Sequence, residues 1–148
     1  MRVMMALLFA LALPFSSASA DELTVKPSKH TVKETVDRLT SVLKEKGITP
    51  AARIDHSAAA KGAGQELRPT EVLIFGNPRL GTPLMQSNRH IAIDLPMRVL
   101  VWEDDAGKVW IGYAPPSALT ARYKLDGRDE ILKTLSGALE AFTNAAAN

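Results

Sequence analysis

Between Phe75 and Pro96 the chain sets two glycines and three prolines among apolar residues, and the rest of the fold has to be arranged around this stretch. It reads Phe-Gly-Asn-Pro-Arg-Leu-Gly-Thr-Pro-Leu-Met, then His90-Ile91-Ala92-Ile93, then Asp94-Leu95-Pro96. Proline fixes φ and lacks an amide hydrogen, whereas glycine reaches angles closed to other residues. Such residues beside Leu and Ile mean a sharply turned backbone against a packed interior. Binding corners and structural corners both need that combination.

The preceding run Thr70–Phe75 is continuously apolar after Glu71 and reads as a strand in the middle of a sheet. Gly76-Asn77-Pro78 stops it. Thr82-Pro83 then gives a helix-start signal, which predicts a short helix from Pro83 to about Asn88, with residues 77–81 as a loop. Upstream, Thr31 and Glu34 form a capping box for a helix carrying Val32, Val36, Leu39 and Leu43 on one stripe, closed by Gly47. Leu23-Thr24-Val25 is a short strand before Pro27, and Ile48–Ile54 is a second strand running into Asp55-His56. Ser57–Gly64 is small and Gly-rich, the composition of a flexible loop.

Downstream, residues 97–103 and 108–114 make a hairpin around Asp104-Asp105-Ala106-Gly107, in which Trp102 and Trp110 meet across the strands. Pro115-Pro116-Ser117 opens a short helix to Tyr123. A long amphipathic helix starts near Asp126 or Gly127, and its Ala145–Asn148 end is expected to fray. The resulting order of elements describes an α+β, two-layer domain: one mixed sheet of about five strands with helices packed on it.

The first twenty residues stand apart. Arg2, the apolar run from Val3 to Phe15 and the small residues Ala18-Ser19-Ala20 have the form of a secretory signal peptide cleaved before Asp21. The run is short for a bilayer core of about 30 Å, and Pro14 interrupts it, so no membrane anchor is expected after cleavage. This divides the chain into a leader, 1–20, and one globular domain, 21–148, that is periplasmic or secreted. The chain has no cysteine, which excludes disulfides, thiol nucleophiles and thiolate metal sites. Its net charge of +2 is spread without a basic run, so nucleic acid is not an expected partner.

Arg53-Ile54-Asp55-His56, the block from Phe75-Gly76-Asn77-Pro78 to Gly81-Thr82-Pro83-Leu84-Met85-Gln86, Asp94-Leu95-Pro96 and the Trp-bearing hairpin together resemble the bacterial family called domain of unknown function 302. Their order and spacing match as well as their composition, from Thr31 to the last helix. The resemblance implies a compact two-layer α/β domain and brings no established activity with it. Two segments depart from the pattern. Ser87-Asn88-Arg89-His90 replaces a stretch more often small and apolar, and Ala114–Ala118 replaces one more often carrying Asn-Asp-Pro and an aromatic residue.

His56 follows a strand, sits beside Asp55 and precedes a small-residue segment. An imidazole there suits a general base as well as a loop-fixing hydrogen bond. Asp94, between Ile93 and Leu95, would either orient His56 or take up free backbone amides of the corner. Gly76, Asn77, Gly81 and Thr82 would form an anion cradle or a plain strand-to-helix connection; no Gly-Lys-Ser/Thr follows, so nucleotide binding is not supported. His30, His56 and His90 lack metal-site spacing, and no metal or cofactor is expected.

The leading expectation is a module that binds a small ligand or a protein partner between the corner and His56. Asp55, His56, Phe75, Gly76, Asn77, Gly81, Thr82 and Asp94 are its candidate residues. The alternatives are an enzyme using His56 and Asp94 as an acid/base pair, and a structural oligomeric domain, such as a homodimer with Trp102 at the interface.

Overall fold

A computed structural model describes residues 23–148; the expected leader and its cleavage point lie outside them. Five strands form one sheet: β1 (Thr24–Pro27), β2 (Ala52–Asp55), β3 (Thr70–Phe75), β4 (Met97–Glu103) and β5 (Val109–Tyr113). Their order across the sheet is β1-β5-β4-β3-β2.

All four neighbouring pairs are antiparallel, which corrects the expectation of a mixed sheet. A strand–helix–strand order is compatible with a parallel pair. The helix α1 (Val32–Glu45) instead carries the chain across the whole sheet, so β1 and β2 run parallel on opposite edges and never meet.

α1 forms where its capping box predicts. Thr31 Oγ1 accepts the Glu34 amide hydrogen at 3.3 Å, and Glu34 Oε2 accepts that of Thr31 at 3.0 Å. Its stripe of Val36, Leu39 and Leu43 is wholly buried. It packs beside the long helix α5 (Asp129–Ala147), and both cover one face of the sheet. Leu73, Val99, Val101, Ile111 and Tyr113 point into this core from the strands, as alternation requires. Phe75 meets Phe142 of α5 edge to face, ring centroids 6.4 Å apart.

Three local predictions change. The small-residue segment after β2 is a helix, α2 (His56–Gly62), because Asp55 caps it: its Oδ1 accepts the Ala58 amide at 2.8 Å and alanine then favours the helix. The corner helix α3 runs Pro78–Ser87, beginning five residues before the predicted start. The end of α5 does not fray. Ala146 and Ala147 are buried, and Arg38 of α1 donates to the carbonyls of Ala146 and Ala145 at 3.1 and 3.3 Å. A short helix α4 (Ser117–Tyr123) follows β5 as expected.

Candidate functional site

The corner begins where β3 ends. Phe75 is buried; Gly76 and Asn77 turn the chain, and Asn77 Oδ1 accepts the Arg79 amide hydrogen at 3.0 Å. Pro78 then takes the first helical position, where a missing amide hydrogen costs nothing. Pro83 lies inside α3 and cannot donate to the carbonyl of Arg79, so the helix is held by packing through the fully buried Leu84.

A 3-10 turn (Arg89–Ile93) follows, capped by Asn88, whose Oδ1 accepts from His90 at 3.0 Å while its Nδ2 donates to the Tyr123 carbonyl at 2.7 Å. Ile91 anchors this turn in the core. The chain then passes through Asp94 and a cis Leu95–Pro96 bond into β4.

These turns enclose a cleft of about 330 Å³. Gly76, Asn77 and Pro78 line it, together with Gly81, Thr82 and Met85 of α3. Leu95, Pro96 and Met97, at the entry to β4, and Thr49, Ala51 and Leu135 complete the lining. Its surface is mainly apolar, with the Asn77 amide and the hydroxyls of Thr49 and Thr82 as its polar side chains. Gly81 presents no side chain to the space; a Cβ there would meet only Leu95 Cδ1, at 3.8 Å.

Asp94 lies outside this cleft, in a second one of about 250 Å³ bounded by Leu23, Met97, Pro115 and Leu119. Tyr123 donates its phenol hydrogen to Asp94 Oδ2, Arg122 Nη1 donates to the same oxygen at 2.8 Å, and Arg98 Nη2 lies 3.3 Å from Oδ1. The phenol hydrogen bond, then the two arginines, hold the carboxyl below its ordinary pKa against the opposing effect of burial. A carboxylate so held stays ionised and is a poor proton acceptor. The backbone donors of the corner are not its partners; three side chains from β4 and α4 are.

His56 and Asp94 do not converge. Asp55 pairs with Glu71 and Glu71 with Val101, which puts His56 at the Val101 end of the strands. Asp94 precedes Met97 at the other end. His56 is the exposed first residue of α2, and Asp55, its carboxyl held low mainly by the Ser57 hydroxyl, serves as the cap. Asp55 also borders a broad, open groove of about 790 Å³ beside α2, which mixes charged side chains with Ala58, Leu67 and Pro69 and which His56 does not line. The candidate residues thus divide into three groups: Gly76, Asn77, Gly81 and Thr82 on the corner cleft, Phe75 in the core beneath it, and Asp55, His56 and Asp94 elsewhere.

Besides Pro78, Met85, Leu95, Pro96 and Met97, which adjoin the candidate residues of the corner, Thr49, Ala51 and Leu135 are cleft residues that sequence reasoning missed. Nothing local marks them, because they reach the corner only through the edge strand and α5. Among the described residues no cluster of three or more histidines or acids could hold a metal ion, and no helix is long and apolar enough to cross a membrane.

One antiparallel sheet with helices on one face and a glycine- and proline-built corner over an apolar cleft define a small α+β domain. The chain belongs to the family described as Domain of unknown function DUF302, whose profile matches residues 24–142. The fold is shared with the crystal structure of an uncharacterized conserved DUF302 protein from Bacillus stearothermophilus. The TM-score is 0.75 at 20% identity, covering 84% of this chain and 97% of that one.

Over 112 residues, or 76% of its length, the chain is 46% identical to a protein named Fluoride-specific ion channel FluC 1 from Brucella suis biovar 1 (strain 1330). A protein of the same name from Brucella abortus biovar 1 (strain 9-941) matches at the same identity. The chain spans less than half the length of these curated relatives, 44% and 42% respectively.

Proposed function

We propose that the protein is an exported binding module that takes a small, mainly apolar ligand in the corner cleft. The observation that carries this reading is the cleft itself. Its volume of about 330 Å³ lies at the small end for ligand sites. At about 30 Å³ per water-sized unit it has room for about ten non-hydrogen atoms. Apolar walls would supply the affinity, and Asn77, Thr49 and Thr82 would orient a single polar group. The leader-like first twenty residues support export to the periplasm or beyond. The separation of His56 from Asp94 speaks against the acid/base alternative.

The names of the Brucella relatives favour a second reading, in which the domain serves beside an ion channel. The apolar corner cleft offers fluoride no cation; the Asp94 cleft, with Arg98 and Arg122, does.

A thermal-shift experiment separates these readings. Medium-chain alcohols and acids, small phenols and sodium fluoride are tested on the wild type and on Gly81→Leu, which fills the corner cleft from a helical position. The binding reading expects an apolar probe to raise Tm in the wild type and not in Gly81→Leu, with the variant itself at least as stable. A shift that survives Gly81→Leu, or no shift with any apolar probe, counts against a site in this cleft. A shift with fluoride alone transfers the assignment to the second reading.

A further inference from the structure

The second cleft, between the start of β4 and α4, differs in chemistry from the corner cleft and shares only Met97 with it. Its apolar lining comes from Leu23, Met97, Pro115 and Leu119, of which Met97 and Leu119 also belong to the core. Ala114 and Ala118 add only methyl groups to it, which leaves the space unfilled. Both belong to Ala114–Ala118, one of the two segments in which this chain departs from the family pattern. At about 30 Å³ per water-sized unit, the volume of about 250 Å³ has room for about eight non-hydrogen atoms.

The charged lining is Asp94, Arg98 and Arg122. Asp94 is largely covered: its side chain is 16% exposed, and Tyr123, Arg122 and Arg98 are bonded to its oxygens. The Arg98 and Arg122 side chains are 57% and 55% exposed, so the charge that the cleft presents is positive. Two guanidiniums against one ionised carboxylate leave a net charge of +1. That selects a monoanion. A cation would find Asp94 already bonded, and a dianion would exceed the local positive charge.

Arg98 has donors left for such a ligand. Among the described residues its side chain makes one hydrogen bond, to Asp94 at 3.3 Å. A guanidinium carries five N–H donors in a planar fork, which fits a carboxylate with two parallel bonds.

We propose that this cleft takes a small monocarboxylate. Its carboxylate sits on the guanidinium of Arg98, in the field of Arg122, and its short tail lies on Met97, Pro115 and Leu119. The charge sets the head group and the volume sets the tail, about four to six carbons long. A fluoride ion would use the arginines and none of the apolar wall. The site does not depend on the ligand proposed for the corner cleft.

The experiment is a ¹H–¹⁵N NMR titration of the purified protein with sodium hexanoate at constant ionic strength, with sodium fluoride and 1-hexanol as comparison probes. The guanidiniums are half exposed and screened by water, so a Kd of about 1 mM is expected. The amides of Met97, Arg98 and Leu119 and the Arg98 Nε–H are expected to shift and saturate with hexanoate. Fluoride and hexanol each supply one half of the ligand and are expected to leave these signals in place at equal concentration.

Arg98→Gln is expected to weaken hexanoate binding about tenfold or more. Ala118→Leu, which fills the cleft from within α4 and keeps both arginines, is expected to abolish it, and Gly81→Leu to leave it unchanged. Arg98 is exposed, so Arg98→Gln keeps the test decisive if Ala118→Leu unfolds. No saturable shift up to about 20 mM hexanoate, a shift that Arg98→Gln leaves unchanged, or an equal one with hexanol overturns the proposal. An equal shift with fluoride overturns it in favour of a bare-anion site. Shifts confined to Gly76, Gly81 and Thr82 overturn it in favour of the corner cleft.

Discussion

The Cβ that Gly76 lacks would stand 3.0 Å from the Cβ of Pro96, the closest approach that any glycine of the described chain makes. The end of β3 and the start of β4 therefore touch through a residue with no side chain against one with a rigid ring. Gly81, five residues on, has only Leu95 Cδ1 at 3.8 Å, an ordinary contact. The same substitution should act oppositely at the two sites. Gly76→Ala is expected to destabilise by about 1–2 kcal/mol through overpacking. Gly81→Ala is expected to stabilise by about 0.5–1 kcal/mol, because it removes a helical glycine. Urea titration of both variants checks this, and equal effects of the same sign would contradict the contact geometry.

Glu71 points into the core from β3 and is held there by Arg53 of the edge strand, whose Nε donates to its carboxylate at 2.6 Å. The same guanidinium reaches Asp37 of α1 at 2.5 Å, and these carboxylates raise its pKa further above its already high value. Arg53→Met would leave the Glu71 carboxylate buried and unpaired. A cost of about 2–3 kcal/mol is expected, reduced from the fully buried case because the arginine is one-third exposed. Replacing Glu71 with Leu in the same chain should recover most of that loss. Chemical denaturation of the two single variants and the double variant measures it, and strict additivity would refute the coupling.

Local signals in the sequence were readable where the chemistry is local. Thr31 and Glu34 announced α1, and Trp102 does face Trp110 across the hairpin. Asp55 before an alanine run was an equally local cap for α2, hidden by the neighbouring glycines that suggested a loop. At the corner, two Asn/Thr-Pro pairs competed for the helix start, and only packing of Leu84 shows that the first one wins while Pro83 is carried inside.

What the sequence could not give is long-range. Strand order places β1 beside β5, not beside a strand near it in the chain, and nothing in four residues of edge strand encodes that choice. Four of the corner's residues were recognised as cleft residues. Their partners Thr49 and Leu135 arrive from other parts of the chain.

The last turn of α5 is such a long-range case. Beyond the two Arg38 bonds, the Ala147 carbonyl accepts the Lys29 amide hydrogen at 2.9 Å, so the segment before α1 is tied to the end of α5. Deleting residues 145–148 removes all three acceptors and two buried methyl groups. A loss of about 2–3 kcal/mol is expected, against nearly none for a frayed terminus. Arg38→Ala should reproduce part of it. Hydrogen exchange at Lys29 checks the tie directly, since its amide should lose protection in the truncated chain and keep it in Arg38→Ala.

Asp94 and Tyr123 set an expected pH dependence. The phenol hydrogen bond, followed by Arg122 and Arg98, lowers the Asp94 pKa in the folded protein below its unfolded value near 3.8. A group of that kind contributes stability that is complete above the unfolded pKa and is lost as pH falls through the folded one. Seen from the other partner, the Asp94 carboxylate is the main cause raising the Tyr123 pKa above 10, so that contribution is present below pH 10 and is lost as pH rises through the higher folded value. The two shifts largely describe one bond and are not to be added. The stability difference between wild type and Asp94→Asn is therefore expected to be level across neutral pH and to shrink below about pH 4. Tyr123→Phe should narrow that acid-side change, because it removes the largest cause of the Asp94 shift. Urea midpoints from pH 2.5 to pH 8 measure both. A difference that stays constant down to pH 2.5 would mean that these donors do not hold the carboxylate.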